Sequence, residues 1–344
     1  MKVLYIGQYK QGSTTRMRGE YLKQLLQPAL YTVVDMSIPI TSTPRIFRSF
    51  GWRYNKGPLI ANINNYIRAA VPEPENFDLV WVDKGVFLGP SLIGFLKNKQ
   101  NRVVHYTPDT AFSYNRSTLF FGSLPYYDYC VTTKSFELDA YRSAGANGLI
   151  YCTQGYDPAI HKSYHGFAEK KGIVFVGLCE AYREEAIARL VEKNMPVLLS
   201  GEGWGKFVRS YQAKKNLVFA GTGLFHEVYG KAISGSLIGL GLLSKKFPEM
   251  HTTRTFEIPA CSTALATESN AETRSFYNEE EAIFFNDLQE MSEKIEYYIH
   301  HTPELENLTA KGYQKVHNGQ FDYKNLLSGV LSKMDIHADP AVSF

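Results

Sequence analysis

Short runs rich in Val, Ile, Leu and Tyr alternate along the chain with longer stretches whose apolar residues recur every three or four positions. An apolar run bounded by turn residues reads as a strand buried on both faces, whereas the wider spacing gives a helix one apolar face. The alternation predicts parallel sheets covered by helices, an α/β chain. In the first half it predicts strands at 2–7, 31–36, 78–83, 102–106, 129–133 and 148–152, with helices over 15–26, 57–70, 89–98 and 135–144. A second set of strands is predicted at 173–177, 196–200, 216–220, 236–243, 263–267 and 282–285. Helices at 287–300, 303–316 and 321–334 follow with no strand between them.

Two strand sets in 344 residues predict two Rossmann-like halves, since one core would be too large. The segment 153–161, which carries Gly155 and Pro158, has turn chemistry and no periodicity, so it is expected to be the hinge. The expected domains are 1–155 and 156–320, followed by a helix and tail over 321–344.

Hydrophobic residues at 44% and charged residues at 21% exclude a disordered or coiled-coil chain. A net charge of +3 argues against a nucleic-acid binder but allows a local basic pocket for phosphates. The apolar start Met1–Gly7 is soon interrupted by Gln8 and Lys10, too short for a signal peptide, so a cytoplasmic protein is expected. The apolar window 236–244 is about half the length of a membrane span and reads as a buried strand. Cys130, Cys152, Cys179 and Cys261 lie far apart without C-x-x-C spacing, which indicates neither a zinc site nor a disulfide framework.

Candidate chemistry gathers at the strand ends, where α/β proteins place ligands. After the first strand, Gly7 and Gly12 have the spacing of a P-loop without its lysine, and no G-x-G-x-x-G occurs there, which disfavours an NTPase or dinucleotide enzyme. What remains is a turn of Gly12, Ser13 and Thr14 leading Arg16 and Arg18 into a helix; the alternative is a plain turn with solvated arginines. His105 and Asp109 close the fourth strand as a candidate base and its partner, against a structural histidine. At the strand ends Asp83-Lys84 and Thr133-Lys134, the Lys and Thr side chains are possible cleft groups, against caps and loop anchors.

In the second half, Gly177 turns after a strand and Arg183 enters a helix, a seat for a pyrophosphate; the competing reading pairs Arg183 with Glu184 or Glu185. Gly203, Trp204 and Lys206 form a flexible turn with a ring that could hold part of a nucleotide, and Tyr229 and Lys231 approach the same edge. Glu249 and Glu257 flank Arg254 at a short helical run. Ionised carboxylates only accept hydrogen bonds, so such a pair suits the hydroxyls of a ribose and a second sugar, against two solvated surface groups.

The spacing of Glu249 and Glu257 resembles the E-x7-E signature of GT-B glycosyltransferases. The run Arg254-Thr-Phe-Glu-Ile-Pro-Ala is more specifically similar to the CgeB-like branch, the spore-maturation proteins, as are the Gly12–Thr14 loop and the strand ends at Asp83-Lys-Gly and Thr133-Lys-Ser. The resemblance implies a GT-B fold, two Rossmann-like domains facing a cleft, with the C-terminal helices crossing back to the first. It implies transfer of a sugar from a nucleotide diphosphate sugar, held mainly by the second domain, to a carbohydrate or other hydroxyl acceptor held by the first. Gly177, Arg183, Gly203, Trp204, Lys206, Arg254 and Glu257 would then bind the donor, with Glu257 on the ribose and Glu249 near the transferred sugar. Gly12, Ser13, Thr14 and Arg16 would face the acceptor, and His105, Asp109 and Glu249 are the expected catalytic groups. No cofactor is implied, and with no D-x-D triplet in the chain, metal independence is expected; the motif leans toward retention. The chain departs from many such enzymes at Pro248 and at Cys261-Ser262-Thr263, where they have glycines. The alternatives are a nucleotide-sugar epimerase of similar fold and a non-catalytic sugar-binding or scaffold protein.

Overall fold

Strands that are apolar on both faces must pair in parallel and be covered by helices, and the chain does this twice. A computed structural model describes residues 1–337; residues 338–344 of the expected tail lie outside the described residues. The chain divides into two units, one built from residues 1–153 and from Tyr323 onward, the other from residues 154–322.

The first unit runs β1 (Lys2–Gly7), α1 (Thr14–Leu26), β2 (Leu30–Asp35), α2 (Ser37–Ser42), α3 (Arg45–Tyr54), α4 (Pro58–Ala70), β3 (Leu79–Asp83), α5 (Pro90–Leu96), β4 (Arg102–Thr107), α6 (Thr118–Ser123), β5 (Tyr129–Thr132), α7 (Leu138–Ser143) and β6 (Gly148–Tyr151). Its strands form one parallel sheet in the order β2-β1-β3-β4-β5-β6. All five residues of β3 are buried. On one sheet face Leu4, Ile6, Val80 and Val82 pack with Leu59, Ile63 and Ile67 of α4.

The second unit runs β7 (Ile173–Val176), α8 (Ala181–Glu192), β8 (Val197–Ser200), α9 (Gly205–Ser210), β9 (Leu217–Phe219), α10 (His226–Ser234), β10 (Ile238–Leu240), α11 (Arg254–Ala260), β11 (Ala264–Glu268), α12 (Ala271–Phe276), β12 (Ile283–Phe285), α13 (Leu288–His300) and α14 (Thr302–Asn318). Its parallel strands are ordered β12-β11-β10-β7-β8-β9. A last helix, α15 (Tyr323–Lys333), belongs to the first unit, where Leu327, Val330 and Leu331 join Leu22, Leu26, Trp81 and Tyr106 in one apolar layer. The α/β class and the two six-stranded sheets are those the sequence predicts. Strand β10 is a difference: three residues in place of the eight expected over 236–243.

Arg18, read as an arginine entering a helix or a solvated one, is neither exposed nor free. It and Asp83 are completely buried, with Nε and Nη2 donating to the carboxylate at 2.7 and 2.9 Å. The Tyr5 hydroxyl and Thr15 hydroxyl add bonds to Asp83 at 2.9 and 3.1 Å. Burial raises the pKa of Asp83, but the Arg18 charge and its hydrogen bonds outweigh this and hold it below the usual carboxylate range. The cluster ties the ends of β1 and β3 to the first turn of α1.

Asp83→Asn should therefore destabilise the protein by about 3–5 kcal/mol, because a buried guanidinium loses its counter-charge. Because the folded pKa is depressed, the carboxylate's contribution is complete above its unfolded value of about 3.9 and is lost as pH falls through the lower folded value. Urea unfolding of wild type and variant at neutral pH checks the first statement, and the same comparison below pH 3.9 should show the gap closing.

Candidate active site

In the second unit the chain leaves β7 for β8 on one side and later returns to β10 on the other, so the strand order reverses between β7 and β10. The carboxyl ends of strands beside such a reversal open into a crevice where α/β proteins bind ligands. The loops there are packed closely. Gly177 donates its N–H to Ser200 at 2.9 Å and accepts from the Trp204 indole at 2.9 Å. Gly201 has φ +143°, and a Cβ there would lie 1.9 Å from the Gly177 carbonyl oxygen, so only glycine fits.

Two arginines converge on the reversal. Arg183 and Arg254 each donate through Nη2 to the carbonyl of Leu242, at 3.2 and 3.1 Å. Arg183 Nη1 also reaches the Leu178 carbonyl at 3.3 Å, and Arg254 Nη1 that of Val176 at 3.4 Å. Both guanidiniums lie over the Phe175 ring, 5.8 and 5.5 Å from its centroid. The Nε–H of each is buried without a hydrogen-bond partner. Burial, and after it the Arg254 charge, lowers the pKa of Arg183. Glu180 offsets this at 3.1 Å and Glu249 at 3.9 Å, so neither Glu184 nor Glu185 is the partner.

Three carboxylates hold the segment that follows β10. The N–H of Leu243 donates to both oxygens of Glu268 at 3.2 Å, the N–H of Ser244 to Glu249 at 2.9 Å, and the Ser244 hydroxyl to Glu180 at 2.9 Å. Lys245 lies 3.3 Å from Glu268. These side chains take the donors that a longer strand would have given to a neighbour, which is why β10 stops at Leu240.

Glu257 lies within α11, 7% exposed, and its two oxygens face different partners. Tyr229 donates its hydroxyl to one; burial and the Glu257 charge raise the phenol's pKa, so it stays a donor. The Asp157 N–H donates to His161 Nδ1 at 2.9 Å, which places the neutral ring's proton on Nε2, 3.7 Å from the other oxygen. The carboxylate is thereby oriented while lone pairs remain for a further donor.

Two of the expected residues, Trp204 and His105, are buried in the core. Trp204 is completely buried, edge-on to Phe175 and Phe207, and is a core wedge rather than a platform for a base. Gly203, with φ +87°, makes the turn before it. Lys206 lines a pocket of about 480 Å³ with Cys179, Glu180, Ala181, Glu184 and Tyr211. In the first unit, His105 is 1% exposed against the Phe120 and Tyr127 rings, neither ring nitrogen has a hydrogen-bond partner, and burial pushes its pKa down to about 3. That placement corrects the expectation of a base presented at the strand end. Asp109 is half-exposed and pairs with Lys84 at 2.9 Å. Gly12 turns with φ +79°, Ser13 caps α1 by accepting from the Arg16 N–H at 3.1 Å, Thr14 opens the helix, and Arg16 sits 3.7 Å from Glu20.

The structure thus groups Arg183, Glu249 and Arg254, and adds Glu180, Ser244, Glu268 and His161, which sequence reading did not select. Glu268 had a visible signal, a carboxylate ending an otherwise apolar strand; the others depend on loop geometry.

A family model described as Glycosyl transferase-like matches residues 183–331, somewhat under half of the chain. Among solved structures, HepE from Anabaena in complex with UDP aligns over 97% of this chain and 100% of its own, with a TM-score of 0.65 at 12% identity. Its complex with UDP-glucose gives 97%, 99%, 0.62 and 11%. Sucrose-phosphate synthase from Thermosynechococcus elongatus aligns over 97% and 99%, with a TM-score of 0.68 at 12% identity. No curated protein sequence matches the chain. The shared architecture is the GT-B fold, and with the family segment it supports a glycosyltransferase. No helix among the described residues is long and apolar enough to cross a membrane.

The close loop contact makes Gly201→Ala a direct test of the site's scaffold. The added carbon meets backbone rather than a flexible side chain, so a loss of about 1–3 kcal/mol is expected in urea unfolding. An unchanged midpoint would mean that the two loops separate freely.

Proposed function

We propose that this GT-B glycosyltransferase binds a nucleoside diphosphate sugar on its second unit and transfers the sugar to a hydroxyl acceptor, with retention and without a metal ion. The observation that carries the proposal is the convergence of Arg183 and Arg254 on the Leu242 carbonyl, with both buried Nε–H groups unpartnered. Donors left unpaired in a buried setting are costly, and a diphosphate entering beside them would satisfy both charge and geometry. The N-terminus of α8 adds its partial positive charge. HepE has been solved with UDP and with UDP-glucose, so UDP-sugars are the first donors to test.

Glu257, oriented by Tyr229 and His161, is assigned to the ribose diol, and Glu249, beside Arg183, to the transferred sugar. The similarity of the α11 segment to the CgeB-like branch supports both assignments. On the acceptor side the proposal keeps the Gly12–Arg16 loop and the half-exposed Lys84–Asp109 pair. With His105 sealed in the core, the base is the departing group itself. The bond from C1 to the diphosphate oxygen breaks, the acceptor oxygen bonds to C1, and the hydroxyl proton passes to the leaving oxygen. Arg183 and Arg254 stabilise the negative charge that develops there.

Incubation with UDP-sugars and a panel of sugar acceptors should release UDP together with a glycoside, and EDTA should leave the rate unchanged. Loss of activity that Mg²⁺ restores would contradict the charge assignment, and acceptor-independent isomerisation of the donor would identify an epimerase. Glu257→Gln should weaken donor binding by about 1.5–3 kcal/mol in calorimetry, the cost of a charged hydrogen bond. His105→Phe should keep the transfer rate per folded molecule; its loss would return His105 to the reaction.

A further inference from the structure

Exposed large hydrophobic side chains bunch in one short part of the first unit. Helix α3 turns Ile46 (73% exposed), Phe47 (44%), Phe50 (45%) and Tyr54 (51%) to solvent, and Ile38 of α2 is 52% exposed beside it in sequence. At 100° per residue, positions 46, 47, 50 and 54 share one face of the helix. The only buried residue of α3 is Gly51, set so tightly on Leu59 of α4 that a Cβ would come within 2.6 Å of it. The Phe50 and Tyr54 rings meet at 45° with centroids 4.8 Å apart, so the two side chains form one apolar patch.

Charge is distributed just as unevenly. Between Asp35 and Glu73 the sequence contains no acidic residue but carries Arg45, Arg48, Arg53, Lys56 and Arg68. Arg53 borders the apolar face at one edge, while at the other the buried Gly51 separates it from Arg48. A contiguous apolar face with a cationic margin is covered by something when the protein works.

We propose that α3 is an interfacial helix that seats the first unit on an anionic lipid surface. The Ile, Phe and Tyr side chains enter the boundary between headgroups and acyl chains, and the arginines reach lipid phosphates from the margin. A uniformly cationic stretch with no acidic residue fits a uniformly anionic bilayer better than a protein surface of mixed charge. Because α3 has only ten residues, the attachment is weak, reversible and salt-sensitive.

Flotation of the full chain with phosphatidylcholine vesicles, with and without phosphatidylglycerol, tests this. The protein should float with the anionic vesicles at low salt and remain behind with the neutral ones. The Ile46→Ser/Phe50→Ser double variant should stop floating while keeping the wild-type circular dichroism spectrum. Arg45→Gln and Arg53→Gln, which leave the apolar face alone, should each weaken vesicle binding about fivefold. Failure of the wild type to float with anionic vesicles overturns the proposal, as does flotation that none of these changes reduces. A wild-type dimer that Phe50→Ser splits, without flotation, overturns it in favour of a second copy of the chain.

Discussion

Two guanidinium groups directed at one carbonyl oxygen repel one another, and the second unit is arranged around making that tolerable. Arg183 and Arg254 meet at Leu242, where the Arg254 charge adds to burial in lowering the pKa of Arg183. Glu180 and Glu249 supply the compensating charge, and through Ser244 the same two carboxylates fix the segment after β10. The position of this cluster follows from strand order: β7 and β10 are neighbours whose connections leave in opposite directions, so their ends open a crevice rather than a closed turn. An anion arriving there would relieve the repulsion and occupy the two free Nε–H groups together.

The first unit balances its buried charge differently. Asp83 and Arg18 are fully enclosed and neutralise one another, with Tyr5 and Thr15 adding bonds to the carboxylate. Arg18 Nη1 is also buried without a hydrogen-bond partner, but its charge is matched by Asp83 at 2.7 Å, so the pair fixes the shape of a strand end, whereas Arg183 and Arg254 share one carbonyl acceptor.

Much of the fold was legible because strands buried on both faces are unbroken apolar runs, and β1, β3, β4, β7 and β11 announce themselves in that way. Helices α2 and α3 were not, since Pro39, Pro44 and Gly51 read as breakers and the apolar residues of α3 point outward. β10 was overextended because its apolar run continues to Leu243, although side-chain carboxylates claim the last donors. At the site, Arg183 was visible as an arginine entering a helix after a strand, and Glu249, Arg254 and Glu257 as a charged run at a short helix. Trp204 and His105 were misread for a common reason: a polar or aromatic residue near a strand end can point into the core, and sequence does not report which way the backbone turns it. The Tyr229–Glu257–His161 arrangement joins residues from three separate segments, so no local pattern could show it.

The central claim is that the arginine pair at the β7–β10 reversal receives the donor diphosphate. Calorimetric titration of UDP into wild type and Arg254→Ala, with unfolding curves to confirm that the variant is folded, addresses it most directly. Removing one charged donor should weaken UDP binding by about 1.5–3 kcal/mol. Equal affinity for the two folded proteins would place the diphosphate elsewhere and contradict the account.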